Sequence, residues 1–309
     1  MKQLSALQKI LDNGGFAVTG ELGPPKGSDV EAVRRKADHL KGAVDAVNVT
    51  DNQTAVVRMS SIATCAILRE LDIEPVMQMV CRDRNRIALQ SDILGAYGLG
   101  IRNILCLSGD HQRFGNHPEA KNVFDLDSIQ LIQAVRNMRD EEKFICGDEV
   151  EGAPLMFIGA AASPFSDPFE FRVRRLAKKV AAGAQFIQTQ CIYDLNKFRK
   201  WMELVRDAGL HEKTHILAGI TPLKSVGMAR YMKNNVAGVD VPDELIERLR
   251  SPGKSKAAEE GISIAVETIQ AMREIEGVHG VHLMAIEWEE KVPEIVERAG
   301  LLPRRGAVT

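Results

Sequence analysis

Polar side chains follow a series of short apolar runs in this chain, and their types could carry out chemistry. In a chain that alternates strands and helices around a barrel, the carboxyl ends of the strands build the active site. The residues at these ends are aspartate and glutamate carboxylates, neutral hydrogen-bonding groups and a glycine: Glu21, Thr50, Gln78, Gly109 with Asp110, Gln190, Thr221 and Glu287. They include no Ser/His/Asp grouping and no cluster of histidines. Hydrolysis by a nucleophile or a metal is therefore disfavoured, and no metal site is predicted.

Taken singly, each of these residues also has a purely structural explanation. Glu21 could be a helix-capping or surface carboxylate, and Asp110, which follows Ser-Gly, could be an ordinary turn residue. Gln190 could satisfy a neighbouring backbone group, as most buried amides do. The alternating arginines of Arg82–Arg86 are typical of a solvated face. Position along the chain does not by itself assign any of them a role.

The elements that must position these residues alternate regularly. Eight short runs rich in Val, Ile, Leu and Met have the length and composition of strands buried on both faces. They are Phe16–Glu21, Ala46–Thr50, Pro75–Val80, Asn103–Leu107, Leu155–Ala160, Phe186–Gln190, His215–Ala218 and Val281–Ile286. Segments with helical spacing lie between them, and Asp29 and Asp194 are predicted to cap two of these helices.

Eight such units in 309 residues predict an α/β protein, a closed (β/α)8 TIM barrel that forms a single domain over residues 1–309. We expect an N-terminal helix within residues 1–15, and the last helix, strand eight and a C-terminal helix within residues 251–309. An open Rossmann sheet is the competing fold. Its GxGxxG motif is missing, because the first strand is followed by GELGPPKG. A doubly wound sheet of another kind stays open.

Composition and charge exclude several functions. The formal net charge of −2 disfavours a nucleic-acid partner. No apolar run approaches the roughly 20 residues needed to span a bilayer, so no membrane partner is expected. The first residues lack the features of a signal peptide, which indicates a cytoplasmic protein. The five cysteines contain no CxxC pair and indicate reduced thiols. An oligomer is expected.

Several motifs, taken in order, resemble those of the methylenetetrahydrofolate reductase family. The strand-one motif of that family resembles GELGPP, its strand-two motif resembles NVTDN, and its strand-four turn resembles LSGD. Its strand-six and strand-seven motifs are similar to AGAQFIQTQCIYD and GITPL. The likeness runs from about Gly20 to the C-terminus. It implies the (β/α)8 barrel and the reduction of 5,10-methylenetetrahydrofolate to 5-methyltetrahydrofolate with a bound FAD.

The resemblance also implies catalytic roles for three residues. Glu21 matches the general acid, which would help protonate N10 of the folate as its five-membered ring opens to an iminium. Asp110 matches the acid that lies beside flavin and pterin, and Gln190 matches a residue that contacts the folate and then the electron donor. The implied kinetics are ping-pong, with NAD(P)H as the expected donor. Thr221, with these three residues, completes the implied substrate-binding set.

The implied cofactor-binding positions follow from the same motifs. They are Thr50, Gln78, Gly109, Asp110, Val123, Arg175 and Lys179. The family's Tyr-Pro-Glu-x-His stretch after strand five is here AAASPFSDPF, so two usual flavin contacts are missing. Arg175 stands where an Asn is common. Arg175, and Arg82 or Arg86, could replace the lost contacts to the diphosphate.

Three alternatives stay open. The sequence segments that contain strands two and three are most similar to those of the short reductases of acetogenic anaerobes. Some of these reductases pair with a zinc- and cysteine-containing subunit. The chain could therefore be an FAD-bearing subunit that receives electrons from such a partner rather than from NAD(P)H. It could also be a flavin-independent methylenetetrahydrofolate reductase. A pterin-binding barrel that serves a methyltransferase is the non-redox alternative, and it leaves the GELGPP and TQ motifs unexplained.

Overall fold

Eight parallel strands close into a barrel, in the order in which they occur in the chain. The computed structural model describes residues 5–253 and 255–304. The strands are β1 (Ala17–Leu22), β2 (Ala46–Val49), β3 (Pro75–Val80), β4 (Asn103–Leu107), β5 (Phe157–Ala162), β6 (Phe186–Cys191), β7 (His215–Ile220) and β8 (Val278–Leu283). Each strand pairs with the next, and β8 pairs with β1, which closes the barrel. The predicted single-domain TIM barrel is confirmed.

Helices cover the outside of the barrel. They are α1 (Ala6–Asp12), α2 (Val30–Leu40), α3 (Ser61–Glu70), α4 (Arg86–Gly98), α5 (Ser128–Arg136), α6 (Phe171–Ala182), α7 (Leu195–Asp207), α8 (Val226–Asn235), α9 (Asp243–Arg250), α10 (Ala257–Arg273) and α11 (Val292–Arg298). The carboxylates of Asp29 and Asp194 accept hydrogen bonds from backbone N–H groups in the first turns of α2 and α7. Both predicted caps are confirmed. None of the described helices is long and apolar enough to cross a membrane.

Two strands are displaced from their predicted positions. The ladder between β4 and β5 begins at the pair Asn103–Phe157, so β5 starts two residues later than predicted and extends to Ala162. β8 begins at Val278 and ends at Leu283, three residues earlier than predicted. Its first half contains His279 and Gly280, which interrupt the apolar pattern, but Val278 pairs with β7 and Gly280 pairs with both β7 and β1. Pairing with the neighbouring strands, rather than hydropathy, decides where both strands lie.

The barrel interior changes from apolar to polar along its axis. At the amino-terminal end, strands β1 to β7 each contribute one buried apolar side chain, and Leu7 and Leu11 of α1 pack beneath them. These strand residues are Ala17, Ala46, Val76, Leu105, Phe157, Phe186 and Leu217. The next layer is polar and fully buried, and it contains Thr19, Asn48, Gln188 and His282. All five cysteines are free thiols.

Candidate active site

A cavity of about 400 Å³ lies at the carboxyl ends of β2 to β6. It brings together six of the residues that the sequence predicts for the site: Gln78, Gly109, Asp110, Arg175, Lys179 and Gln190. Carboxylate and amide groups come from the strand ends, and cationic groups come from α6. The barrel end predicted to carry the site is therefore the one with the cavity.

Glu21 lies beside this cavity, at the end of β1. The amide nitrogen of Gln78 is 3.5 Å from its Oε2 atom, so the cavity wall contacts the carboxyl directly. The side chain of Glu21 is only 11% exposed. Its second neighbour was not predicted from the sequence: Nε2 of His282 lies 3.6 Å from the same Oε2 atom. The Glu21 carboxyl is largely enclosed, and two side-chain nitrogen atoms lie near one of its oxygens. This placement suits a general acid.

Three predicted site residues do not line the cavity. Thr50 is buried, and its hydroxyl has no hydrogen-bond partner. Thr221 is buried as well, and its carbonyl oxygen accepts a hydrogen bond of 3.0 Å from the hydroxyl of Tyr193. Val123 is half exposed, and its backbone N–H donates to the carbonyl of Arg82. Glu287 also lies away from the cavity, because β8 ends earlier than predicted, and its carboxylate contacts Lys36.

Gly109 fixes the turn that presents Asp110. Its φ angle is +90°, in the region that favours glycine. A Cβ atom there would lie 3.0 Å from Cβ of Val80 and 3.2 Å from Cβ of Arg82. Any larger residue would therefore require the end of β3 to shift, in addition to the strained backbone conformation. Asp110 follows as an exposed carboxylate at the cavity, and its backbone carbonyl accepts a hydrogen bond from Arg82.

The prediction of a solvated arginine face after β3 is wrong for two of its three members. Arg82 is 3% exposed, and its guanidinium bonds to Asp83 and to the carbonyls of Asn52 and Asp110. It thereby ties the loops after β2 and β4 to β3. The sequence pattern does not indicate which way a side chain points in this turn, so the burial of Arg82 was not predicted.

Arg84 is the second arginine of this run that turns inward. It joins the buried Asp51 at 2.7 Å and Asp92 at 2.8 Å. Arg86 alone lies on the surface, where it pairs with Asp125. Because that pair commits its guanidinium, Arg86 is not brought to the cavity. Asp83, between Arg82 and Arg84, was the available signal for ion pairing, although it pairs with Arg82 and not with Arg84.

A cationic face of α6 forms one wall of the cavity. Arg172, Arg175 and Lys179 share this face because they are spaced three and four residues apart. Nζ of Lys179 is 2.6 Å from the carbonyl oxygen of Ala161, at the end of β5. Burial, and then the charge of Arg175, lower the pKa of Lys179 to about 8. Arg172 was not predicted, although its spacing from Arg175 was a usable signal.

Comparison with known proteins identifies the family. A sequence profile described as "Methylenetetrahydrofolate reductase" matches residues 6–300. The chain belongs to the methylenetetrahydrofolate reductase family. The match confirms the resemblance that the strand-end motifs indicate, and it covers nearly the whole barrel.

Curated members of the methylenetetrahydrofolate reductase family are longer than this chain. "Methylenetetrahydrofolate reductase 1" of Schizosaccharomyces pombe is 28% identical over 243 residues, which cover 76% of this chain and 37% of that protein. "Methylenetetrahydrofolate reductase (NADH) 1" of Arabidopsis thaliana is 24% identical over 319 residues, which cover 98% of this chain and 51% of that protein. The chain thus spans about a third to a half of the length of these relatives.

A solved structure has the same fold. It is described as "Uncharacterized protein from Clostridium thermocellum binds two copies of 5-methyl-5,6,7,8-tetrahydrofolic acid". The TM-score is 0.65 at 13% sequence identity, over 96% of this chain and 99% of the other. At this identity the likeness concerns the barrel and its connections.

Proposed function

We propose that this chain reduces 5,10-methylenetetrahydrofolate to 5-methyltetrahydrofolate with a bound flavin. The observation that carries the proposal is the enclosed carboxyl of Glu21, which contacts the wall of a cavity that also contains Asp110 and Gln190. Membership of the methylenetetrahydrofolate reductase family supports it. So does the structural neighbour, which is described as binding 5-methyltetrahydrofolate.

The chain's own residues would act on the folate in three ways. Glu21 gives its proton to N10, which breaks the bond between N10 and the methylene carbon and leaves an iminium at N5. The carboxylate of Asp110 favours the cationic iminium by its negative charge and accepts a hydrogen bond from the pterin. The amide of Gln190 orients the folate at the cavity wall. Thr221 directly follows β7 and does not line the cavity, so it would contact only a part of the folate that extends beyond the cavity.

The residues around the cavity fit a flavin. The cationic face of α6 suits a diphosphate, since Arg172, Arg175 and Lys179 lie along one wall. The hydroxyl of Thr50 is buried without a partner and outside the residues that line the cavity, so Thr50 would contact the flavin only after a local rearrangement. Gln78, Gly109 and Asp110 would then contact the ring system, and Val123, which does not line the cavity, would contribute from the loop after β4. When bound, FAD supplies the hydride that converts the iminium carbon into a methyl group.

The loop after β5 is the main departure from the family, and it bears on the flavin. Ala161, Ala162 and Ser163 line the cavity where the family places larger groups. Small side chains here enlarge the space beside the cationic wall, so Arg172 and Arg175 can hold the diphosphate more directly. We propose NAD(P)H as the donor, which exchanges with the folate in a ping-pong cycle. A zinc- and cysteine-containing partner subunit is the alternative source of electrons.

The spectrum of the purified chain tests the proposal. We expect the absorbance of oxidised flavin, its bleaching by NADH or NADPH without oxygen, and its return when methylenetetrahydrofolate is added. The product should be 5-methyltetrahydrofolate by mass spectrometry. A flavin that bleaches but is never reoxidised by the folate contradicts the proposed function. A flavin that bleaches with dithionite but not with either nucleotide contradicts only the donor, and points to a partner subunit.

A further inference from the structure

His282 lies directly behind Glu21, inside the barrel. The two side chains are 4% and 11% exposed, and Nε2 of His282 is 3.6 Å from Oε2 of Glu21. His282 belongs to β8, where it pairs with Gly219 and Thr19 of the neighbouring strands. Neither the resemblance nor the strand-end rule assigns it a role. A buried histidine in contact with a buried carboxyl is nevertheless an arrangement that sets protonation states.

A chain of buried hydrogen bonds runs from His282 across the barrel. Its Nδ1 atom is 2.9 Å from the hydroxyl of Thr19. The same hydroxyl accepts a hydrogen bond of 3.2 Å from the amide nitrogen of Gln188. Gln188 and Asn48 exchange two hydrogen bonds, of 2.6 and 3.0 Å, between their side-chain amides. The pairing with Asn48 therefore orients the Gln188 amide so that its nitrogen faces Thr19.

This orientation determines which nitrogen of His282 carries the proton. The hydroxyl of Thr19 has a single proton to donate, and Gln188 already donates to its oxygen. The remaining acceptors for that proton are Nδ1 of His282 at 2.9 Å and the carbonyl of Val281 at 3.5 Å. The shorter contact is preferred, so Nδ1 accepts. A neutral His282 then carries its proton on Nε2, which faces Glu21.

Both neighbours of the Glu21 carboxyl thus present N–H groups to the same oxygen. The amide nitrogen of Gln78 lies 3.5 Å from Oε2, and Nε2 of His282 lies 3.6 Å from it. A protonated carboxyl has one acidic proton and one carbonyl-like oxygen. With two donors facing Oε2, that atom is the acceptor and Oε1 carries the proton. Contacts of this length commonly tighten when the reacting complex forms.

We propose that His282 is a positioning residue that makes Glu21 a directional acid. It keeps Oε2 as the acceptor, so Glu21 delivers its proton from Oε1. In that step the O–H bond at Oε1 breaks and an N–H bond forms at N10 of the folate, while the electron pair of the O–H bond stays on the carboxylate. The N–H groups of His282 and Gln78 then stabilise the new negative charge on Oε2. This inference rests on the proposed function for its substrate, but not for the protonation pattern.

Another titratable group that interacts with Glu21 is the thiol of Cys191. Cys191 of β6 is close enough for the charge of Glu21 to raise the pKa of its thiol, although burial is the larger cause, and the pKa is about 11. Tyr193 lies next to Cys191, and burial raises the pKa of its phenol well above the usual range. Both therefore stay neutral near pH 7. Changes in the pH profile of turnover after substitution of His282 therefore do not come from these two groups.

Two sets of variants test the inference. His282→Leu and Thr19→Val remove the N–H facing Glu21 and the hydroxyl that orients it, whereas Thr19→Ser keeps the hydroxyl. His279→Asn is the matched control, because His279 lies on the same strand but accepts a hydrogen bond from the backbone N–H of Ile216 and meets the ring of His215 edge-on. We expect His282→Leu to lower folate turnover by about tenfold or more and to move its pH profile. Thr19→Val should do so less strongly, Thr19→Ser should restore turnover, and His279→Asn should leave the pH profile unchanged.

Nitrogen NMR of the histidine rings reads the protonation pattern without any turnover. We expect His282 to have a protonated Nε2 and an unprotonated Nδ1, and we expect Thr19→Val to weaken that preference. A proton on Nδ1 of neutral His282 would mean that Thr19 accepts from the ring instead of donating to it, and it overturns the inference even in an active enzyme. Wild-type turnover and an unmoved pH profile in a folded His282→Leu variant also overturn it. A wild-type chain that forms no 5-methyltetrahydrofolate instead defeats the proposed function, and the NMR result still decides the tautomer.

Discussion

The ammonium of Lys179 donates a hydrogen bond to the carbonyl oxygen of Ala161, with 2.6 Å between the two atoms. The bond ties α6 to the end of β5, at the loop where this chain departs from its family. Burial and the nearby charge of Arg175 bring the pKa of this ammonium to about 8. The charge on the cationic wall therefore depends on pH within the range in which enzymes act.

Flavin affinity should fall as the pH rises through about 8. Below that pH Lys179 is mostly protonated and attracts the diphosphate, and above it the charge is lost. Fluorescence titration at a series of pH values measures the effect. Lys179→Met should bind flavin weakly and without this pH dependence. Lys178→Met is the control, because its side chain is exposed. A pH dependence that survives in Lys179→Met would show that another group causes it.

Glu21→Gln should separate the two halves of the reaction. The variant cannot donate a proton to N10, so we expect reoxidation of the flavin by methylenetetrahydrofolate to slow by about 10²–10⁴. Flavin content and reduction by the donor should be unchanged, as stopped-flow absorbance can show. Glu287→Gln is the control, since this carboxylate is exposed and pairs with Lys36. Equal reoxidation rates in the two variants would remove Glu21 from the mechanism.

Gly109→Ala should damage the turn that presents Asp110. The substitution places a Cβ atom 3.0 Å from Val80 in a backbone conformation with φ of +90°. We expect a loss of about 1–3 kcal/mol in the free energy of unfolding, together with weaker flavin binding. Gly95→Ala, within α4, meets nothing within 4 Å and should stabilise the chain slightly. Urea denaturation of both variants gives the comparison, and equal stabilities would argue against a strained turn.

Arg84→Met should be far more destabilising than Arg86→Met. Removal of Arg84 leaves the carboxylate of Asp51, which is 1% exposed, without its cationic partner, and a loss of about 3–5 kcal/mol is expected. Asp51 also accepts the backbone N–H of Val80, so the end of β3 should loosen. Arg86 pairs with the more exposed Asp125, and its loss should change the free energy of unfolding far less, because solvent screens an exposed ion pair. Similar losses in the free energy of unfolding of the two variants would mean that the buried ion pair contributes no more to stability than the exposed one.

Most parts of the site that the sequence predicted follow directly from strand order. Glu21, Gln78, Gly109 and Gln190 could be found because parallel strands bring their carboxyl ends to the same end of a barrel. Lys179 came from the family motif before strand six. In each case neither the direction of a side chain nor the exact register was needed.

The parts that were missed depend on register and direction. Thr19, Asn48, Gln188 and His282 meet in one layer only because the stagger of the strands aligns them, and each alone looks like a polar residue within an apolar run. The course of Arg82 into the barrel wall depends on how the loops after β2 and β4 fold over it. The limits of β8 were missed for a related reason, since pairing outweighs hydropathy there.

The apolar layer at the amino-terminal end of the barrel determines how reactants reach the cavity. Leu7 and Leu11 of α1 pack beneath the strand residues and seal that end, while the cavity lies at the other. Among the described residues, the barrel interior is closed at that end, so reactants reach the cavity from the carboxyl ends of the strands. Two bulky reactants that use the same catalytic groups would then bind in turn, which is the order of events that the proposed ping-pong cycle requires.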